Sequence, residues 1–203
     1  MGHREDLLEG AKRCLLEKGY ARTTARDIVA ASGTNLASIG YHYGSKEALL
    51  NLAFLKVTEE WGDTVVEKSD VDPASMTEPW ERFEAVWGQV IGSYEATRSF
   101  WKLQLEAVSR LDEDPELRKA IADPQVEGRK GLAENFQGID AGTDPDKAGK
   151  AGLVYQALLV GVMVQWLVDP ETAPSAKDLA EGLRIVLESG DGGEAQSRAQ
   201  SRA

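Results

Sequence analysis

Apolar residues recur every three or four positions along most of this chain, which is the spacing of one face of an α-helix. Runs of alternating β-branched residues, which would indicate strands, are scarce. The sequence therefore predicts an all-α fold. The predicted helices lie at about residues 4–19, 24–32, 35–43, 46–65, 79–96, 99–111, 116–136, 147–168 and 175–188.

Polar and proline-containing segments separate these helices, with predicted loops at 69–79 and 138–146. Pro124 lies inside a helical stretch, where its ring and missing N–H are expected to kink or divide the helix. The residues from Ser189 onward contain too few apolar side chains to form a core, so we expect them to be disordered. The predicted parts are a small N-terminal helical domain, a larger helical domain and a disordered tail, at residues 1–50, 51–188 and 189–203.

The segment after residue 23 contains two short helices joined by a tight turn. Thr24 and Asp27 match the T-x-x-D pattern of a capping box at the start of the first helix. Gly33 can adopt the left-handed backbone that the turn requires. Asn35 can cap the second helix, whose expected inward contacts come from Ala37, Ile39 and Tyr43, with Leu36 near its start. Helix, tight turn and short helix together indicate a DNA-reading helix-turn-helix.

This segment resembles the N-terminal domain of the tetracycline-repressor (TetR) family of bacterial regulators. The family pattern is roughly T-x-x-x-I-A-x-x-A-G-V-S-x-x-x-L/I-Y-x-H-F-x-S-K-E-x-L, and the resemblance covers about residues 4–50. It implies a two-part, dimeric, ligand-responsive regulator that is more often a repressor than an activator. Two departures are Gly40, where the family usually has an aromatic or polar phosphate contact, and Thr34, which replaces valine. The matching residues are Thr24, Ile28, Gly33, Ile39, His42, Ser45, Lys46, Glu47 and Leu49.

Side chains around the second short helix are the candidates for DNA contact. Ser38 can bond base edges, and Leu36 can contact a thymine methyl group. Tyr41 is expected to take over the phosphate contact that Gly40 lacks, and the resemblance assigns His42 to phosphate as well. Hydroxyl groups and a lysine at the starts of helices can also bind DNA phosphate groups. These further candidates are Thr23, Thr24, Thr34, Asn35 and Lys46.

The net charge of -11 argues at first sight against a nucleic-acid partner. However, residues 1–50 contain seven Lys and Arg against six Asp and Glu, so the remaining residues carry a net charge of -12. A nearly neutral head on an acidic body can still approach DNA through one face. The alternative is a helical ligand-binding or protein-interaction module that no longer reads DNA, which Gly40 and the acidic body favour.

Residues 151–168 form an uncharged run of eighteen, close to the shortest length of a transmembrane helix. Gln156 and Gln165 within the run and the acidic loops beside it argue against a membrane. A helix that is apolar all round is otherwise buried on every side. We expect a homodimer in which two such helical hairpins form a four-helix bundle, with an intrachain core helix as the alternative. The expected interface residues are Leu158, Val162, Trp166, Leu179 and Leu183.

Large aromatic residues are concentrated in the body of the chain. Trp80, Trp87, Tyr94 and Trp101 recur at intervals of seven, which keeps them near one helical face. Simple core packing explains such a stripe, but Trp and Tyr also carry polar groups that a dry core must satisfy. The sequence thus predicts a pocket for a small apolar or aromatic ligand. Its candidate residues are Trp61, Trp87, Tyr94, Trp101 and Tyr155.

Motifs for enzyme catalysis are missing from the sequence, including G-x-S-x-G, the phosphate-binding loop, the dinucleotide fingerprint and H-E-x-x-H. The single cysteine, Cys14, excludes an internal disulfide and a cysteine-based zinc cluster and is expected to be a small core residue. We therefore expect neither an enzyme nor a bound metal or cofactor. The charged helix that begins near residue 4 is not a signal peptide, so we expect a cytoplasmic protein.

Overall fold

The chain is all-helical in a computed structural model that describes residues 2–67, 75–76 and 78–200, with side chains described within 2–62, 75–76 and 78–188. The described residues include no β-strand, which confirms the predicted all-α class. The helices are α1 (His3–Lys18), α2 (Ala25–Ser32), α3 (Leu36–Tyr43), α4 (Lys46–Glu67), α5 (Pro79–Ser93), α6 (Arg98–Ser109), α7 (Pro115–Gln137), α8 (Pro145–Val168) and α9 (Ala176–Gln200).

Two helices are less interrupted than the sequence predicts. Helix α7 is not divided at Pro124, because a proline removes only one backbone hydrogen bond and the turns on both sides keep theirs. The backbone of α9 continues to Gln200, through residues for which composition predicts disorder. Backbone hydrogen bonds within a helix do not require an apolar partner for each turn. The predicted loop at 69–79 lies mostly outside the described residues.

The chain divides into two compact units. The first comprises Met1–Ser69 and Ser93–Gly128, and the second comprises Asp70–Gly92 and Arg129–Ala203. In the first unit, α1 packs against α2, α3, α4 and also α6. The three N-terminal helices therefore share a core with later helices, and hydrophobic spacing along the chain does not reveal that sharing.

The core of the first unit forms around α1 and α4. The ring of Tyr20 lies 5.9 Å from that of Phe54, measured between centroids. Cys14 is buried, and burial raises the pKa of its thiol. A protonated, buried thiol behaves as a small apolar group, as expected from the sequence. The buried apolar residues of α1, α2 and α4 are Leu7, Ala11, Cys14, Leu15, Ile28, Leu49, Leu50, Ala53, Phe54 and Val57.

Helix α8 packs in the second unit by close approach to α7. A Cβ added to Gly152 would lie 2.0 Å from the carbonyl oxygen of Arg129, so only glycine fits at this crossing. The side chain of Arg129 also donates to Gln156 Oε1 at 2.7 Å. Helix α8 is long and apolar enough to cross a membrane by length and composition. A buried core helix can meet the same two criteria, but only 28% of this apolar window is buried, so the contacts with α7 cover one part of α8.

Candidate functional site

Helix α2 begins with a closed capping box. The backbone N–H of Asp27 donates to Thr24 Oγ1 at 3.2 Å, and the backbone N–H of Thr24 donates to Asp27 Oδ2 at 2.9 Å. Lys18 Nζ donates to Asp27 Oδ1 at 2.6 Å. The hydrogen bond from Lys18, followed by those from Thr24, holds the pKa of Asp27 well below its usual value. The carboxylate therefore stays ionised near neutral pH and fixes the start of α2.

The turn into α3 has the geometry that its residues predict. Gly33 has a φ of 67°, in the left-handed region. Asn35 Oδ1 accepts a hydrogen bond from the backbone N–H of Ser38 at 3.1 Å and so caps α3. Ile39 is buried, whereas Ala37 is exposed and does not make the predicted inward contact. In an eight-residue helix only a narrow stripe can face the core, and Ile39 occupies it.

The candidate DNA contacts on α3 are partly or largely exposed to solvent. Leu36 is 52% exposed and Tyr41 is 86% exposed, so both side chains are accessible to a partner. Ser38 is half-buried, and so is His42, whose ring meets the Tyr41 ring edge-on at 4.8 Å between centroids. Tyr43 points towards α1 instead, and its hydroxyl donates to the carbonyl of Arg4 at 2.6 Å.

The remaining candidate DNA-contact residues differ in how accessible their side chains are to DNA. Thr23 is almost fully buried, and its hydroxyl lies within hydrogen-bond distance of two carbonyl oxygens, that of Gly19 at 2.6 Å and that of Cys14 at 3.2 Å. Its side chain therefore holds the turn after α1, and this geometry corrects the prediction that its hydroxyl contacts phosphate. Thr24 and Asn35 are exposed at helix starts, and the Thr34 hydroxyl lies 2.7 Å from that of Ser32. Lys46 begins α4, 3.3 Å from the Glu47 carboxylate.

Three of the predicted ligand residues form an aromatic cluster in the first unit. Trp61 stacks on Phe100 at 4.9 Å between centroids and meets Trp101 edge-on at 4.7 Å. Tyr94 meets Trp101 at 5.3 Å. The indole N–H of Trp101 donates to Thr97 Oγ1 at 3.0 Å. Helix α5 ends before Tyr94, so the seven-residue spacing does not reflect one continuous helix.

The other two predicted ligand residues lie in a second aromatic cluster, in the second unit. Phe136 stacks on Tyr155 at 4.5 Å and lies 5.4 Å from Trp87, between centroids. Trp87 is fully buried, and its indole N–H has no hydrogen-bond partner among the described residues. The amide of Gln137 donates to the hydroxyl of Tyr155. Phe136 and Gln137 are not among the predicted ligand residues, although the spacing of the buried Ala133 and Phe136 indicates the inner face of α7.

Tyr155 also borders a groove of about 530 Å³ in the second unit. The groove is open to solvent, and most of the surface that lines it is apolar. Lys147 and Lys150 lie at its edge. The other apolar residues that line the groove are Ile139, Ala151, Val154, Leu158 and Leu183.

The predicted dimer residues are unevenly exposed. Val162 is 3% exposed and Trp166 is also buried, so both are covered within the single chain. Leu158, Leu179 and Leu183 are half-buried. The same two helices expose other large apolar side chains to solvent, which form an apolar surface. We call these residues the α8–α9 apolar face: Leu153, Val154, Val160, Val164, Val168, Ile185, Val186 and Leu187.

Comparison with known proteins places the N-terminal helices in a defined family. The family description "Bacterial regulatory proteins, tetR family" matches residues 7–53. The HTH-type transcriptional repressor AcnR of Corynebacterium efficiens is 30% identical over 123 residues. The matched segment is 60% of this chain and 57% of AcnR, so it spans little more than half of that relative. AcnR is named as a transcriptional repressor, not as an enzyme.

Solved structures show the same fold over nearly the whole chain. A putative transcriptional regulator, SCO7518 from Streptomyces coelicolor A3(2), superposes with a TM-score of 0.67 at 23% identity, over 91% of this chain and 97% of that one. The multidrug binding protein EbrR, complexed with proflavin, superposes with a TM-score of 0.64 at 20% identity, over 91% of this chain and 99% of that one. From the capped α2–α3 turn and these comparisons, we conclude that residues 7–53 match the TetR family of bacterial regulatory proteins and that the chain shares the fold of these solved structures.

Proposed function

We propose that this protein is a transcriptional regulator that binds a palindromic DNA operator as a dimer. It acts as a repressor and is released by a small apolar or aromatic molecule. The exposed side of α3 is the observation that carries the proposal, because Leu36 and Tyr41 are presented to solvent while Ile39 anchors the helix. The repressor assignment follows AcnR, to which the chain is similar. Such a role places the protein in the cytoplasm, where the DNA is.

The chemistry of this surface suits the major groove. A helix of this width fits the groove with its side chains against base edges. Ser38 can exchange hydrogen bonds with bases, and Leu36 can contact a thymine methyl group. Tyr41 and Lys46 can donate to phosphates, while the exposed Thr24 and Asn35 lie at helix starts, where backbone N–H groups favour anions. Phosphate contacts fix the position of the protein, and base contacts supply the sequence preference.

Fluorescence anisotropy with the DNA upstream of the protein's own gene tests DNA binding. Tyr41→Ala or Lys46→Ala should weaken binding to every sequence and lower the salt slope by about one per lost phosphate contact. Ser38→Ala should instead reduce the preference for one sequence over another. Lys177→Ala, which removes an exposed lysine of the second unit, is the charge-matched control for Lys46→Ala. Unchanged affinity and salt slope in both Tyr41→Ala and Lys46→Ala would exclude this surface as the DNA contact.

A helical ligand-binding or protein-interaction module is the second candidate function. Gly40 lacks the side chain that family members use on phosphate, and the net charge of -11 opposes a polyanion. This candidate predicts no binding to the upstream DNA and no binding to unrelated DNA at low salt. The regulator predicts sequence-dependent binding that weakens steeply as salt rises. The same anisotropy titration therefore separates the two functions.

The dimer is supported by the α8–α9 apolar face. Exposed apolar side chains that cluster on a surface often mark an interaction site. Two copies related by a two-fold axis would bury the same face on each partner. A two-fold dimer presents two equivalent reading helices, so its operator should be a palindrome with half-sites separated by about one helical turn.

The ligand is supported by the two aromatic clusters and by the buried indole N–H of Trp87. A ligand that accepts this hydrogen bond and packs on Phe136 and Tyr155 would be small and largely apolar or aromatic. It would release DNA only if it bound the DNA-free and DNA-bound states unequally. A binding compound should quench tryptophan fluorescence, raise the melting temperature and weaken operator binding. Trp87→Phe keeps an aromatic ring but removes the indole N–H and part of the ring volume, so it should preserve DNA binding while it reduces the response.

A further inference from the structure

A small polar cleft lies within the first unit, outside both aromatic clusters. It has a volume of about 90 Å³ and is bordered by the turn after α1, the start of α4 and the corner between α6 and α7. Its lining is mainly polar, and the side chains that matter to its chemistry are Tyr20, Lys46, Asn51, Arg110 and Asp114.

Three buried polar atoms at this cleft have no hydrogen-bond partner among the described residues. They are Tyr20 Oη, Asn51 Oδ1 and Arg110 Nε. Tyr20 is 3% exposed and Asn51 is 7% exposed. The nitrogen of the same Asn51 amide is already hydrogen-bonded, because Asn51 Nδ2 donates to Asp114 Oδ2 at 3.2 Å. Leaving buried donors and acceptors without hydrogen bonds is costly in free energy. We therefore expect a bound molecule to supply the hydrogen-bond partners of these three atoms.

The charges around the cleft favour a neutral ligand. Two basic side chains, Lys46 and Arg110, and two acidic ones, Glu47 and Asp114, line it. The guanidinium carbon of Arg110 lies 5.3 Å from the centre of the Tyr20 ring. Burial raises the pKa of Tyr20 well above its usual value, so its hydroxyl remains a neutral donor. A cleft with balanced charges gives an anion or a cation no net electrostatic advantage.

We propose that the cleft binds ordered water that bridges Tyr20 Oη, Asn51 Oδ1 and Arg110 Nε. Water can accept from the tyrosine and arginine donors and donate to the asparagine oxygen, and a buried water typically makes about three hydrogen bonds. A water needs roughly 10–15 Å³ of such space, so the cleft has room for more than one molecule.

This bridge connects elements that are distant in sequence. Tyr20 belongs to the turn that leads into α2, Asn51 to α4, and Arg110 to the end of α6. A bridging water is enthalpically nearly equivalent to a direct hydrogen bond. It thereby helps to hold the turn before α2 against α4 and α6. The bridge lies within the folded chain and does not depend on DNA binding.

A double-mutant cycle on the full chain tests the bridge. Tyr20→Phe keeps the ring against Phe54 and removes only the hydroxyl. It should lower the melting temperature by about 2–4 °C, the shift for one lost hydrogen bond in a chain of this size. In an Asn51→Ala background the same change should have a clearly smaller effect, because the water has already lost a partner. Tyr43→Phe removes a direct bond to the Arg4 carbonyl and should be additive with Asn51→Ala.

Different results in these measurements would overturn the proposal. An unbonded hydroxyl predicts that Tyr20→Phe leaves the melting temperature unchanged or raises it. Additive effects of Tyr20→Phe and Asn51→Ala would exclude a shared water. A high-resolution crystal structure of the full chain should show ordered water within hydrogen-bond distance of all three atoms. A dry cleft, or an ion in it, would contradict the proposal.

Discussion

The carboxylate of Glu106 accepts two hydrogen bonds from the turn between α1 and α2, one of them from the backbone N–H of Tyr20 at 3.0 Å. The second comes from the backbone N–H of Ala21 at 2.7 Å. Gly19 allows this approach, since it has a φ of 76° and a Cβ there would lie 2.2 Å from the carboxylate oxygen. One side chain of α6 thus holds the turn from which the helix-turn-helix begins.

Removing the Glu106 carboxylate should destabilise the protein. Glu106→Ala leaves two backbone N–H groups without their partner, and hydrogen bonds to charged groups contribute about 1.5–3 kcal/mol each. Partial exposure reduces this, so we expect a loss of about 1–3 kcal/mol in the free energy of unfolding, and a smaller loss for Glu106→Gln. Urea titration measures both. Glu113→Gln, an exposed glutamate with the same change of charge, should have almost no effect. If Glu106→Gln matches that control, the two hydrogen bonds contribute nothing to stability.

Two glycines of α8 should respond to alanine in opposite directions. Gly152→Ala places a Cβ 2.0 Å from the Arg129 carbonyl oxygen, and such overpacking costs about 1–3 kcal/mol. Gly149→Ala meets nothing within 4 Å, so it should stabilise the helix by up to about 1 kcal/mol. Thermal unfolding of the two variants gives the comparison directly. Equal effects would mean that α7 and α8 do not approach closely at Gly152.

A side chain at Gly40 should strengthen DNA binding. Gly40 lies on exposed α3, and a Cβ added there meets no atom within 4 Å. Gly40→Lys can therefore reach a phosphate, raise affinity for all sequences and steepen the salt slope by about one. Gly40→Ala improves helix propensity without adding charge and should leave the slope unchanged. Anisotropy titrations over a range of salt concentrations provide the measurement. No gain in slope for Gly40→Lys would place residue 40 away from the phosphates.

Replacing either of two valines by aspartate should distinguish residues needed for dimer assembly from residues needed for folding. Val186 on α9 is 67% exposed in the single chain, so Val186→Asp should leave each protomer folded but weaken the dimer. Val162 on α8 is buried, and Val162→Asp places a carboxylate in the core and should unfold the protomer itself. Sedimentation velocity reports assembly, and circular dichroism reports folding. A Val186→Asp variant that remains as dimeric as the wild type would remove this position from the interface.

Acid should destabilise the chain partly through Asp27. Its pKa is lowered in the folded protein, first by the hydrogen bond from Lys18 and then by those from Thr24. A lowered pKa gives stability that is fully present above the unfolded value of about 3.9 and is lost as the pH falls through the folded value. Asp27→Asn should therefore be less stable near neutral pH and show a weaker loss of stability below about pH 4. Urea titrations at several pH values measure this; parallel curves for the two proteins would contradict it.

Local chemistry made much of the site predictable. The capping box of Thr24 and Asp27, the left-handed turn at Gly33 and the cap at Asn35 each involve groups at most four residues apart. Their hydrogen bonds form within one helical turn, so residue type and spacing are enough to predict them. The burial of Ile39 and the all-α class follow similarly from helical periodicity.

Contacts between residues far apart in the chain were decided by the tertiary structure. Glu106 meets Ala21 across 85 positions, and no local pattern distinguishes it from the solvent-exposed Glu113. Thr23 resembles a phosphate-binding threonine in sequence, yet packing turns its hydroxyl towards Gly19 and Cys14. Helical periodicity shows which residues share a face, but the burial of Val162 and the exposure of Val186 depend on which helix packs against that face. The sequence by itself determined the helical class and the capped starts of α2 and α3 through short-range hydrogen bonds, whereas side-chain partners far apart in the chain were decided by close packing between helices.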